Sequence, residues 1–206
     1  MNKRTFRTLV LVFILSLCGT ASAMPVASTS PLDLIKETAD QVLNRIAGQR
    51  EELRANPGKV YDLVNELVLP RFDFEYMSQL VLGKYWPRAS AEQQTEFVIA
   101  FRELLIRTYA STLLNYADQE IEYMPLRMDS GATVATVSTR VIGGGAPPIP
   151  IIYSLHQKAG EWTVYDVAID NISLVAQYRT SYSAHIQRHK MDGLIRQMNK
   201  LNERNR

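Results

Sequence analysis

The chain has little cysteine: Cys18 is the only one among 206 residues. A disulfide-stapled fold is thereby excluded. Long apolar runs are also lacking, and none approaches the ~20 residues of a membrane-spanning helix. A polytopic membrane protein is excluded with them. Charge of one sign does not dominate, since 23 Lys and Arg stand against 21 Asp and Glu for a formal net charge of +2. There is no internal repeat and no low-complexity tract. With 46% apolar residues the composition is that of a globular protein, which excludes long disorder.

Catalytic signatures are missing as well. The sequence contains no G-x-S-x-G elbow, no H-E-x-x-H, no Walker A loop and no G-x-G-x-x-G. His185 and His189 stand at i, i+4, but Ile186 occupies the place where a zincin carries its Glu. They read as two solvated histidines on a basic helix, and His156 as a structural strand residue. Glu120 with Glu122, and Asp166 with Asp170, read as acids on solvated sheet faces rather than as a glycosidase pair. The run Gly143-Gly144-Gly145 does not stand between a strand and a helix start, as a phosphate cradle requires, so it reads as a hairpin loop. No catalytic residue and no metal site is expected.

What is present begins with an address. Lys3, Arg4 and Arg7 precede the apolar stretch Leu9 to Leu17, and Ala21-Ser22-Ala23 is an A-x-A cleavage site. Residues 1–23 are therefore expected to be a secretory signal peptide, ahead of a leader at 24–30. An anchor helix is the alternative, and a lipoprotein at Cys18 is another, against which Leu17 stands where a small residue is needed. Cleavage would remove three basic groups and the cysteine, leaving 20 basic against 21 acidic residues. The product is an exported, disulfide-free chain that one apolar core must hold together.

Ser30-Pro31 with Asp33 is a capping signal for a helix over 31–50, and Asn56-Pro57 starts another over 57–69. Asp73 caps a third over 73–82, stopped by Gly83. Ser90-x-x-Gln93 opens the longest, over 91–116, whose apolar surface is wider than one stripe and predicts packing on more than one side. The period then changes to two, giving strands at 119–128, 132–142, 149–158 and 161–170. Short connections such as Ser130-Gly131 and Ala159-Gly160 imply an antiparallel meander. Ser173 caps a last helical region, 173–203, broken near Asp192-Gly193. From Arg179 to the end of the sequence stand seven basic and two acidic residues. Helices, strands and helix in that order predict an α+β domain over 31–206: an antiparallel sheet of about four strands packed against several helices.

Large apolar groups crowd the helices beside a sheet that is apolar on both faces. They fill a core or line an apolar cavity, and periodicity does not separate the two. The residues themselves carry a resemblance. Pro70-x-x-Asp73-Phe74, Leu82-Gly83-x-x-Trp86 and Ser90-x-x-Gln93 with Phe97, Phe101 and Tyr109 resemble the hallmark region of the MlaC family. A second block, Trp162-x-Val164-Tyr165-Asp166-Val167, then Ile172-Ser173-Leu174-Val175 and Tyr178-Arg179, is similar too. Asn171 departs from the usual Gly but still tolerates positive φ. Thr180-Ser181-Tyr182 replaces Ser-Gln-Phe.

The resemblance implies a periplasmic phospholipid carrier without enzymatic activity or cofactor. Such a carrier holds acyl chains in an apolar pocket between sheet and helices. It moves lipid between an outer-membrane lipoprotein–porin complex and an inner-membrane ABC-type transporter complex, and so maintains outer-membrane lipid asymmetry. Nucleic acid is not an expected partner of an exported chain. The helix-borne lining residues expected on this basis are Phe74, Met77, Val81, Phe97, Phe101, Leu105 and Tyr109. The sheet-borne ones are Val137, Ile151, Tyr153, Trp162, Val167 and Ile169. Arg140 and Arg179 are candidates for a headgroup phosphate at the mouth. A lipid-modifying hydrolase and a non-binding envelope adaptor are the competing functions.

Overall fold

The computed structural model describes residues 30–114, 119–143 and 145–204. The signal peptide expected at 1–23, the leader expected at 24–30 up to residue 29, and the helix end at 115–116 lie outside the described residues.

Helix α1 (Pro31–Gly48) starts where its capping signal predicts. The Ser30 hydroxyl accepts from the Asp33 N–H at 3.1 Å and donates to the Asp33 carboxylate at 2.7 Å. The helix ends at Gly48, and a short α2 (Arg50–Ala55) follows before α3 (Pro57–Leu67). A 3-10 turn, Leu69–Arg71, leads to α4 (Phe74–Leu82). The Asp73 carboxylate caps α4 by accepting from the Tyr76 N–H at 3.1 Å. Gly83, at φ 50, stops it. A second 3-10 segment, Gly83–Arg88, leads to α5 (Ala91–Leu113). Its capping box is reciprocal, because Gln93 N–H meets the Ser90 hydroxyl and Ser90 N–H meets the Gln93 side chain, both at 3.1 Å.

The sheet is an antiparallel meander in the order β1 (Glu120–Tyr123), β2 (Val134–Gly143), β3 (Ala146–Lys158), β4 (Glu161–Ile169) and β5 (Ile172–Ser173). β5 is a fifth strand beyond the four the periodicity predicts, and two boundaries shift by three residues or more. β1 stops at Tyr123 instead of running to 128, because Pro125 has no N–H for the ladder. β3 starts at Ala146 and takes in Pro147 and Pro148, which read as loop in the sequence. Those prolines are tolerated because pairing with β4 begins only at Ile151, so the start of β3 bonds to β2 alone. The turn Asp170-Asn171 has φ of 50 and 64, so Asn171 does adopt the left-handed conformation its identity permits.

Helix α6 (Leu174–Arg204) is capped by Ser173, whose hydroxyl accepts from the Ala176 N–H at 3.0 Å. Asp166 reinforces the cap by accepting from the Val175 N–H, also at 3.0 Å. The break in α6 falls at Lys190, two residues before the position the sequence suggests.

Apolar burial divides into three clusters. One joins α4, α5 and α6 through Met77, Val81, Phe97, Phe101 and Leu194. The second joins the inner sheet face to α1 and the start of α6 through Leu34, Val137, Leu155, Trp162 and Leu174. The third joins α1, α2 and α3 to the C-terminal half of α5 through Val42, Ile46, Leu53, Val64 and Ala110. The domain is α+β, with the helices on one face of the sheet.

Candidate functional site

A cavity of about 320 Å³ opens where the three clusters meet, a size within the ~300–1,000 Å³ of ligand pockets. Each cluster gives it a wall. Met77 and Leu105 belong to the helical cluster, Val164, Val167 and Leu174 to the sheet cluster, and Val42, Ile46, Val64 and Ala110 to the third. The sheet wall follows from register. Thr139, Ile151 and Ile169 form one cross-strand row, and Val137, Tyr153 and Val167 the next. Alternation along a strand turns these rows toward the helices and sends Arg140 and Ile152 to the other face.

The few polar groups in the wall are mostly satisfied within the protein. The Thr38 hydroxyl donates to the Leu34 carbonyl at 2.7 Å. Burial pushes the Tyr153 hydroxyl above its ordinary 10.0, against the pull of a Thr139 hydrogen bond. Burial does the same to Tyr178, outside the lining, whose hydroxyl lies beside that of Tyr109 in the wall. These phenols stay protonated and supply no base. The wall therefore offers a carbon surface with little to recognise a polar solute.

Eight of the thirteen expected lining residues meet in this wall: Phe74, Met77, Leu105, Tyr109, Ile151, Tyr153, Val167 and Ile169. The other five lie elsewhere. Phe97 and Phe101 are fully buried between α5 and α6, where Phe97 meets the Tyr182 ring at 5.9 Å and Phe101 meets Tyr178 at 5.2 Å. Val81 packs in the same cluster. These three face α6 because the N-terminal half of α5 and the body of α4 bury their apolar sides against it. Val137, at 1% exposed, and Trp162, at 7%, are sealed within the sheet cluster outside the lining.

Neither arginine proposed for the mouth lines the cavity. Arg140 lies across the strands from Glu122, with 3.6 Å between Nη1 and Oε2, on the sheet face away from Thr139. Arg179 Nε donates to the Leu80 carbonyl at 2.6 Å and closes the end of α4. The arginine in the lining is Arg71. A charged residue in a turn reads as surface, so the sequence does not point to it. Nor does it point to α1, whose Ile35, Val42 and Ile46 are legible as an apolar stripe but not as cavity wall.

The segment around Pro70 places this wall. The Asp73 N–H donates to the Val164 carbonyl at 2.9 Å, tying the start of α4 to the edge of β4. Its carboxylate sits 2.9 Å from Lys158 Nζ and 3.2 Å from His156 Nε2. Burial works to raise the Asp73 pKa, but the Tyr76 N–H, Lys158 and His156 outweigh it and hold the carboxyl below its ordinary 3.8. Tyr76 stacks on His156 at 4.7 Å over the same anchor. The Asp73 carboxylate thus serves as an anchor for the fold. Among the described residues no group of three or more His, Cys, Asp or Glu is gathered to hold a metal ion. No described helix is long and apolar enough to cross a membrane.

Known proteins share this architecture. A phospholipid-binding protein from Ralstonia solanacearum, solved in complex with a phospholipid, superposes with a TM-score of 0.79 at 30% identity, covering 87% of this chain and 99% of that one. The toluene tolerance protein ttg2D of Pseudomonas putida is 28% identical over 180 residues, 87% of this chain and 83% of its own. The intermembrane phospholipid transport system binding protein MlaC of Haemophilus influenzae is 27% identical over 192 residues, 92% of this chain and 89% of its own. The MlaC protein family itself matches residues 36–200, which takes in every cavity-lining element but the first turn of α1. With the hallmark motifs, the fold and this match in agreement, the chain belongs to the MlaC family.

Proposed function

We propose that the protein is a phospholipid carrier that takes up acyl chains in the cavity between the sheet and α1, α3, α4 and α5. The apolar wall at the junction of three cores carries this reading, because it can replace the bilayer as solvent for a lipid tail. Exposing tails to water costs about 0.8 kcal/mol per CH₂, so two ordinary chains of roughly thirty such groups face a barrier of order 25 kcal/mol. A pocket about as apolar as the bilayer makes the exchange nearly neutral. No bond needs to be made or broken, so the function requires no nucleophile, base or cofactor. The related protein from Ralstonia solanacearum, with phospholipid bound, supports the same reading.

The carrier works in the periplasm after export by the N-terminal signal. It exchanges lipid with an outer-membrane lipoprotein–porin complex and an inner-membrane ABC-type transporter complex, which preserves outer-membrane lipid asymmetry. Direction comes from those partners, since the carrier holds its cargo by a nearly neutral exchange. The name of the Haemophilus influenzae relative, an intermembrane phospholipid transport binding protein, supports this placement.

Gentle purification followed by mass spectrometry of bound lipid tests the reading. Intact phospholipid near one molecule per chain is expected, together with transfer between vesicles. Lysolipid that accumulates with time would point to a hydrolase. Absence of bound lipid together with absence of transfer would sink the carrier.

A further inference from the structure

Arg71 is the cationic residue in an otherwise carbon-rich wall. Its Nε is shut off from solvent and has no hydrogen-bond partner, although the residue as a whole is half-buried. Among the described residues no carboxylate pairs with it. Asp73, two residues on, is taken up by Lys158, His156 and the Tyr76 N–H. A guanidinium placed against apolar surface with an unpaired donor is unfavourable, and native folds rarely keep one without a partner. Its placement is not loose. The turn that carries it is closed by Arg71 N–H to the Val68 carbonyl at 3.0 Å and Phe72 N–H to the Leu69 carbonyl at 3.1 Å. The next residue but one is tied to β4, and the Phe72 and Phe74 rings stack at 5.7 Å alongside.

We propose that Arg71 is the ligand for a lipid phosphodiester at the rim of the cavity. This rests on the carrier reading above and adds to it the chemistry of the headgroup. A half-buried residue with its Nε inside spans the boundary between apolar wall and water. A diacyl lipid with its tails in the cavity has its first fully charged group, the phosphate, at that boundary. A guanidinium meets phosphate oxygens through two parallel N–H donors, which would satisfy the orphaned Nε. Inorganic phosphate shares this chemistry, but the apolar wall adjoining Arg71 gives a free ion nothing to hold.

The test is competitive exchange. Purified wild type, Arg71→Leu and Arg71→Lys proteins are equilibrated with vesicles holding equal amounts of phosphatidylglycerol and diacylglycerol with the same chains. Bound lipid is then counted by mass spectrometry. Wild type should favour phosphatidylglycerol, and Arg71→Leu should lower the ratio roughly 10- to 100-fold while diacylglycerol uptake persists. Arg71→Lys should fall between, and Arg71→Gln replaces the Leu variant should that one fail to fold. An unchanged ratio in the uncharged variant overturns the assignment. Millimolar inorganic phosphate added during exchange should leave the wild-type ratio unaltered. A collapse of the ratio there, absent from Arg71→Leu, assigns the site to the free ion and also overturns it. Wild type that takes both lipids without preference sinks Arg71 alone, whereas wild type that takes neither sinks the carrier reading beneath it.

Discussion

Arg179 Nε donates to the Leu80 carbonyl at 2.6 Å across 99 residues of chain. Leu80 lies in the last turn of α4, whose carbonyls have no N–H partners within the helix. A cation from α6 therefore supplies both a donor and a charge where the helix dipole is negative, beside Gly83 where the chain turns at φ 50. Arg179→Ala should lower stability by about 1 kcal/mol. Arg140→Ala removes an exposed cross-strand pair and an exposed contact to the Met124 sulfur, and should cost roughly 0–0.5 kcal/mol. Urea titration of both variants checks this, and equal costs would leave the cap without a role.

The Asp73 anchor predicts a pH dependence. Its carboxyl titrates below 3.8 in the folded protein, so the unfolded chain binds the proton first as pH falls. The stabilisation is therefore complete above the ordinary carboxylate value and disappears as pH drops through the depressed folded one. Asp73→Asn keeps a capping oxygen but loses the charge that faces Lys158 and His156. It should cost about 1–3 kcal/mol at neutral pH, and the gap from wild type should close in acid, below about pH 4. A gap that is constant from pH 7 to pH 3 would remove the ion cluster from the account.

The two halves of α5 should separate experimentally. Phe101→Ala opens a hole between α5 and α6 and should cost about 3–5 kcal/mol, while the lipid held per folded molecule stays near the wild-type level. Ile151→Trp fills the cavity from β3 and should do the reverse, reducing lipid occupancy severalfold with little loss of stability. Thermal unfolding beside bound-lipid analysis separates them. Loss of lipid in a folded Phe101→Ala protein would return that residue to the binding site.

Much of this arrangement is legible in the sequence where local chemistry decides it. Ser30 with Asp33, Ser90 with Gln93, and Asp73 all cap the helices their spacing announces. Period-two alternation and the turns at Ala159-Gly160 and Asp170-Asn171 yield the meander. What the sequence does not carry is which way a fully apolar helix surface turns. Phe101 and Leu105 are one helical turn apart, yet one is clamped by Tyr178 and the other reaches the cavity wall. That choice depends on where α6 lies, which is a long-range fact. Arg71 was illegible for the same reason: its neighbours in sequence do not reveal what surrounds its guanidinium.

The break in α6 leads to the last prediction. Lys190 has φ 62 and ψ 178, a conformation open essentially to glycine alone, which costs a side-chain-bearing residue about 1–3 kcal/mol. The turn brings His189 back over Gly193, where an added Cβ would lie 2.7 Å from the His189 Cβ. Both atoms sit next to the backbone, so neither can swing away and the chain itself would have to move. Gly193→Ala should therefore destabilise by roughly 1–3 kcal/mol, far from its usual benefit inside a helix. Lys190→Gly should stabilise, but by only about 1 kcal/mol, because the unfolded chain gains freedom as the strain is relieved. Urea unfolding of the two single variants and the pair checks this. A Gly193→Ala protein as stable as wild type would mean that α6 can run straight through the break.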